Sequence, residues 1–180
     1  MNISRALSIP GWMSDPELRW LAETASRSSR IIEIGAWMGR SSAALSMNTD
    51  GIVVSVDTWE GSEEHKQELS ERPPDWLFRQ YVKNTQGLDT VPLRMSSLEA
   101  ARLFSRLSVT FDFVFIDASH DYENVKADIL AWRPLVTPGG VLSGHDYNWP
   151  GVQQAVDELL PSAQNVGRTS IWVSQFDKPA

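Results

Sequence analysis

The sequence predicts an α/β fold in which a parallel or mostly parallel sheet carries helices on both faces. Short runs rich in Ile, Val and Phe recur along the 180 residues, and runs this apolar and this short suit strands buried on both faces. Segments with helical spacing separate them, as parallel strands require. Two of the runs stop abruptly at Asp and His: F-D-F-V-F-I-D-A-S-H-D-Y at 111–122 and G-G-V-L-S-G-H-D-Y at 139–147. Ligands of open α/β sheets bind just outside the carboxyl ends of the strands. Asp117, His120, His145 and Asp146 are therefore expected on one functional rim.

Each element has its own signal. Ser14-Asp-Pro-Glu17 is a capping-box pattern, and Leu18, Leu21, Ala22 and Ala25 follow at helical spacing. R-I-I-E-I-G at 30–35 reads as the first strand, a turn at 35–39 leads into a helix over 41–47, and I-V-V-S-V-D at 52–57 is the second strand. Residues 60–75 are polar, charged and broken by Pro73-Pro74, and so long a connection is expected to be an active-site lid. A helical pattern returns over 76–82. A short strand follows at 91–95, then a helix over 98–107 with Leu98, Ala101, Phe104 and Leu107 inward. After the Phe111 strand comes a helix over 122–132. Pro138-Gly-Gly140 turns into the Val141 strand. Pro150 begins a helix with Val152, Ala155, Val156 and Leu159 inward, and S-I-W-V-S-Q at 170–175 alternates as a final edge strand. No repeat or linker divides the chain, so residues 1–180 are expected to form one domain.

Composition narrows the function. Hydrophobic residues make up 42% and charged residues 22%, an ordinary globular mix. The net charge is −7, with no basic run, which argues against nucleic acid as the main ligand. There is no Cys, so disulfides, thiolate metal sites and Cys nucleophiles are excluded. The N-terminus lacks the apolar core of a signal peptide, and no apolar run approaches the ~20 residues that span a bilayer. A soluble, cytoplasmic protein without a membrane partner is expected. Of the eight Trp, most belong in a core, but Trp37, Trp59 and Trp149 flank candidate site loops.

E-I-G-A-W-M-G-R-S at 33–41 follows a strand and opens a helix. Glycine lets backbone approach a ligand, and the helix start offers unpaired N–H groups. Asp57 closes the next strand, roughly 20 residues on, where an acid binds ribose hydroxyls. These features predict a nucleoside-cofactor site. The dinucleotide fingerprint has a third glycine, absent here, and an anionic Glu33 would repel a pyrophosphate but suit a cationic ligand.

The motif resembles the first motif of class I methyltransferases that use S-adenosylmethionine. The chain as a whole resembles the small branch that includes macrocin-type sugar O-methyltransferases and cephalosporin-hydroxylase-like proteins. I-P-G-W at 9–12, I-I-E-I-G-A-W-M-G-R-S at 31–41, V-D-T-W-E-G at 56–61, the 111–122 run and G-G-V-L-S-G-H-D-Y-N-W-P-G-V at 139–152 carry the resemblance over nearly the full length. It implies a Rossmann-like class I methyltransferase fold with a seven-stranded sheet. It implies that Glu33, Gly35, Gly39 and Ser41 surround the methionine and ribose part of the cofactor. Asp57 would hold the ribose, Trp59 would lie near the adenine, Ser96 and Ser97 near its edge, and Asp117 beside the cofactor. For Ser96 and Ser97 the rival reading is a helix N-cap before Leu98.

Two carboxylates converging on one point repel unless a proton or cation sits between them, and oxygen ligands without thiolates suit Mg²⁺ or Mn²⁺. The resemblance implies a divalent cation at Asp117 and Asp146 that holds a substrate hydroxyl, with His120 as the base. His145 either completes the ligand set or faces the core and bonds a carbonyl. Asp121 reads as an N-cap, Asp112 lies at the wrong end of its strand, and His65 reads as a surface residue. The expected activity is methyl transfer to a hydroxyl of a small molecule, a sugar or natural-product metabolite. A non-catalytic S-adenosylmethionine-binding protein and a nucleotide-cofactor oxidoreductase remain the alternatives. The chain leaves little room for a substrate domain, so either the acceptor is small or a second subunit of a homo-oligomer completes the pocket.

Overall fold

A computed structural model describes residues 1–62 and 65–176. Five strands run parallel: β1 (Arg30–Ile34), β2 (Ile52–Asp57), β3 (Thr90–Arg94), β4 (Phe111–Ile116) and β5 (Val136–Gly144). Two antiparallel strands, β6 (Gln164–Asn165) and β7 (Trp172–Gln175), complete a seven-stranded sheet of order β3-β2-β1-β4-β5-β7-β6. The order reverses between β1 and β4, and the crevice at such a switch point is where this class of sheet binds ligands. Ile31 pairs with both Val53 and Phe113, so three apolar side chains share one row across the sheet centre.

Alternation along the strands divides the core. Ile31, Val53, Phe113 and Phe115 face a layer built from α1 (Ser4–Ser8), α2 (Asp15–Ala25), α3 (Arg40–Ser46) and α5 (Trp76–Thr85). Ile32, Ile34, Val56, Val114, Ile116 and Leu142 face α6 (Ser97–Arg106), α7 (Tyr122–Trp132) and α8 (Pro150–Leu159). Each fully buried Ile or Phe contributes about 1.5–3 kcal/mol, which is why both faces of β4 can be aromatic and branched. The short α4 (Lys66–Ser70) lies in the polar connection and buries no residue. Among the described residues no helix is long and apolar enough to cross a membrane.

The structure departs from the sequence expectation at four places. The strand near residue 170 is not an edge: β7 lies between β5 and the two-residue β6, and Trp172 is 1% exposed. The Pro138-Gly139-Gly140 turn does not precede β5 but interrupts it, because Val136 already pairs with Phe111 before Val141 pairs with Phe113. Leu107 is exposed, since α6 ends at Arg106 and its inward side is Ala100 and Ala101. Leu98, expected in the core, turns into a cavity instead.

Candidate active site

The carboxyl ends of β1, β2, β4 and β5 meet at the switch point. Gly35 donates its N–H to the Val56 carbonyl at 2.9 Å, and Asp117 donates its N–H to the Ile34 carbonyl at 2.7 Å. The first turn therefore lies against the end of β4. Gly35 adopts φ +87°, and a Cβ there would stand 2.0 Å from the Asp117 carbonyl oxygen, so no side chain is tolerated. Gly39 caps α3 in the left-handed region, and a Cβ there would meet Thr85 at 2.8 Å. Its requirement is packing against α5.

Asp57 organises this turn. Its Oδ2 accepts from the N–H groups of Ala36 and Trp37, each at 2.9 Å, and its Oδ1 accepts from the Trp59 N–H at 2.7 Å. Each carboxylate oxygen has two lone pairs, so Oδ1 can still accept one ribose hydroxyl. Trp59 is buried, packs on Phe78 and Tyr81, and donates its indole N–H to the Trp37 carbonyl at 2.9 Å. It therefore supports the turn from behind. Trp37, Trp59 and Asp146 all have positive φ although none is glycine. Such conformations cost about 1–2 kcal/mol each, and they gather at functional sites.

The Asp/His residues come together on the opposite lip. His145 Nδ1 stands 3.2 Å from Asp146 Oδ1 and 3.6 Å from Asp117 Oδ1. One ligand atom from each of these three residues lies within 4.8 Å of the others. His120 Nε2 is 2.9 Å from Asp146 Oδ2, and its ring stacks on Trp149 at 4.6 Å. The other side of His145 faces Glu17, with Nε2 3.2 Å from Oε1, close but too poorly aligned for a straight hydrogen bond. Glu17 Oε2 caps α2 by accepting from the Ser14 N–H at 2.7 Å, while Oε1 accepts from the Ser170 N–H at 2.9 Å.

The charges explain the titration of this group. Burial pulls the His145 imidazole pKa down, but Asp146, Glu17 and Asp117 outweigh it and hold it up at about 10. Burial raises Asp117 to about 6, against the attraction of His145. Burial opposes ionisation of Asp146, yet His120 and His145 keep it below the usual carboxylate range. Glu17 is held at about 2: His145 and the Ser170 and Ser14 bonds outweigh its burial. His145 Nδ1 thus lies where the Asp117 and Asp146 carboxylates converge, with Glu17 on the other side of the ring, and these charges favour the imidazolium. The donors fit a hard divalent cation in that place, with Nδ1 unprotonated and Nε2 directed at Glu17, since a metal-bound His commonly turns its second nitrogen to a carboxylate.

One cavity of about 570 Å³ joins the two lips. Of the residues that the sequence put forward, Gly35, Ser41, Asp57, Ser96, Ser97, Asp117, His120, His145 and Asp146 line it. Glu33, Gly39 and Trp59 do not. Glu33 is fully buried, its Oε2 accepts from Ser42 at 2.5 Å and Ser55 at 2.9 Å, and burial pushes it up to about 7 despite the Ser41, Ser42 and Ser55 hydroxyls. It is therefore not the free anion facing a cationic ligand that the sequence argument invoked. Ser96 is the N-cap of α6, with a reciprocal Glu99 contact, while Ser97 turns inward to Asp128.

Sequence reasoning missed several lining residues. Trp12 and Met13 reach the cavity from the N-terminal segment, which Arg40 pins by donating to the carbonyls of Ile9 (2.6 Å) and Met13 (3.0 Å). His65 is half-buried rather than a bare surface residue: its ring packs on Trp37 at 4.5 Å and Trp12 at 5.0 Å, and its Nδ1 pairs with the Ser62 hydroxyl at 2.7 Å. Gly61, Ser62 and His65 from the polar connection line the cavity. Glu63 and Glu64 of the expected lid lie outside the described residues. Asp121 caps α7 through the Asn124 N–H, as expected, and Asp112 binds the Ser29 and Arg30 N–H groups at the far end of the sheet.

Comparison with known proteins gives a family and a fold. A sequence profile described as a methyltransferase domain matches residues 32–147. An uncharacterized protein, y4gI, of Sinorhizobium fredii is 31% identical over 137 residues, 71% of this chain, and the chain spans 14% of that protein's length. The O-methyltransferase TomG of Streptomyces achromogenes, involved in tomaymycin synthesis, superposes with a TM-score of 0.69 at 18% identity, over 98% of this chain and 86% of that one. An O-methyltransferase from Bacillus cereus, solved with S-adenosylhomocysteine, gives 0.68 at 20% identity, over 96% and 86%. The architecture is the Rossmann-like class I methyltransferase fold.

Proposed function

The chain belongs to the methyltransferase-domain family, and on that premise we propose that it moves a methyl group from S-adenosylmethionine to a hydroxyl of a small molecule with the help of a divalent cation. One observation carries the reading: a single cavity is lined on one lip by the Gly35 turn and Asp57, and on the other by Asp117, His120, His145 and Asp146. A turn and acid suited to a nucleoside thereby face a cluster suited to proton transfer and to a cation. S-adenosylmethionine supplies the electrophilic methyl group. Held by Asp117, His145 and Asp146, an Mg²⁺ or Mn²⁺ would neutralise the carboxylates and favour ionisation of the acceptor hydroxyl.

The chain's own residues do the rest. Asp57 accepts a ribose hydroxyl through Oδ1 while keeping the 36–37 backbone in place. Asp117, His145 and Asp146 hold the cation, and Glu17 fixes the ring of His145. His120, oriented by Asp146 and packed on Trp149, takes the hydroxyl proton. Trp12 and Trp149 line the open side and exclude water from the acceptor. Calorimetry tests the cofactor: S-adenosylhomocysteine binds in the micromolar range and NAD does not, whereas the reverse pattern would make the protein an oxidoreductase. In the same assay Asp57→Ala costs about 2 kcal/mol, roughly thirtyfold in affinity, through loss of charge-assisted bonds. An unchanged affinity would remove Asp57 from the site.

Two further results are expected from this geometry. Glu17→Gln weakens divalent-cation affinity by about 10–100-fold, the usual effect of losing a carboxylate behind a metal-bound His; titration of Mn²⁺ by its paramagnetic signal measures it, and equal affinity would leave Glu17 as a helix cap alone. The connection over 60–75 acts as a lid, closed by the packing of His65 on Trp37. The amides of 60–62 and 65–75 are expected to exchange more slowly once S-adenosylhomocysteine is bound. Equal protection with and without ligand would show that it does not close.

A further inference from the structure

Asp128 lies on the inward face of α7, between Val125 and Ile129, at a position that helical spacing assigns to the core. It is 6% exposed and lines the cavity beside Ser97. Burying a carboxylate is costly unless it is fully hydrogen-bonded. Here one protein donor serves it: Ser97 donates to Oδ1 at 2.5 Å. The Ser97 oxygen also accepts from the Trp132 indole N–H at 2.9 Å, which leaves its one hydroxyl hydrogen for the carboxylate. Among the described residues no Lys, Arg or His pairs with Asp128, and burial, with the Asp121 charge, works against its ionisation. Asp128 lines the cavity, and among the described residues no donor serves its second oxygen, Oδ2.

The order of strands along the rim says which donor. The proton-handling cluster stands at the ends of β4 and β5, the glycine turn at β1, the ribose acid at β2, and Ser97 just after β3. A cofactor with its sulfonium at the cluster and its ribose at Asp57 extends its base toward β3, where Ser97 brings Asp128 into the wall. The polar hydrogens that an adenine presents on its outer edge are those of its exocyclic amine. Resting on the S-adenosylmethionine reading above, we propose that Asp128 accepts a hydrogen bond from that amine and selects the adenine base of the cofactor.

Calorimetry with S-adenosylhomocysteine and its des-amino analogue, in which hydrogen replaces the exocyclic amine, tests this without any variant. The wild-type protein is expected to bind the des-amino compound about tenfold more weakly, the effect of one charge-assisted bond. Asp128→Asn keeps the shape and the bond from Ser97 but turns an amide toward the base. It is expected to weaken S-adenosylhomocysteine about tenfold, leave the analogue within threefold, and so abolish the preference, the coupling that a double-mutant cycle reads. Equal wild-type affinity for the two compounds overturns the role of Asp128 while the methyltransferase reading stands. A preference that survives in a folded Asp128→Asn variant overturns it as well. If neither compound binds the wild-type protein, the cofactor reading itself fails and this role with it.

Discussion

Replacing His120 by alanine is expected to lower the methyl-transfer rate by about 10²–10⁴, the contribution of a positioned general base. Affinity for S-adenosylhomocysteine should hold, because His120 meets Asp146 and Trp149 rather than the glycine turn or Asp57. The pH profile separates a base from a merely structural imidazole. Rates of the variant should climb with pH and approach the wild type at high pH, where the acceptor hydroxyl ionises without help. A structural defect would depress the rate by the same factor at every pH. Normal turnover by a folded His120→Ala protein would return Asp117 and His120 to the roles of strand end and helix approach.

Asp146→Asn tests the cation in the same terms. Asp146 adopts φ 59°, and Asn tolerates the left-handed region as well as Asp does, so the local backbone is preserved. The substitution removes one of the two carboxylates that share His145 Nδ1 and the partner of His120. Cation-dependent turnover is expected to fall by about 10²-fold or more, with S-adenosylhomocysteine affinity within a few-fold of wild type. If Asp146→Asn retained full activity and full response to added Mg²⁺, the cation would have to be held elsewhere or not at all.

What the sequence disclosed, and what it withheld, follows from the range of each interaction. β2 and α7 occupy the ranges read from the sequence, because an unbroken apolar run and a capped helical period are local signals. The rim residues Asp117, His120, His145 and Asp146 were legible because they end two strands of a parallel sheet. Glu17 was not: it lies 128 residues before His145, and its capping box accounts for the same carboxylate. Asp128 reads as an interruption of an amphipathic face, and only folding shows that the interruption opens on a cavity. His65 sits in a polar segment, so its packing between two Trp rings from distant turns carries no local signature. Glu33 illustrates the opposite case. Its place in the motif is plain, but burial by α3 and β2 turns its carboxylate away from the cavity.

The site is expected to carry out cation-assisted methyl transfer to a hydroxyl. This is tested most directly by incubating purified protein with methyl-labelled S-adenosylmethionine, Mg²⁺ or Mn²⁺ and a panel of sugar and phenolic acceptors, with and without a chelator. The expected result is label in an ether-linked methyl group on at least one acceptor, lost on exhaustive chelation and restored by adding back the cation. Transfer that continues undiminished after chelation, or label that appears only on nitrogen, sulfur or carbon, would rule this chemistry out.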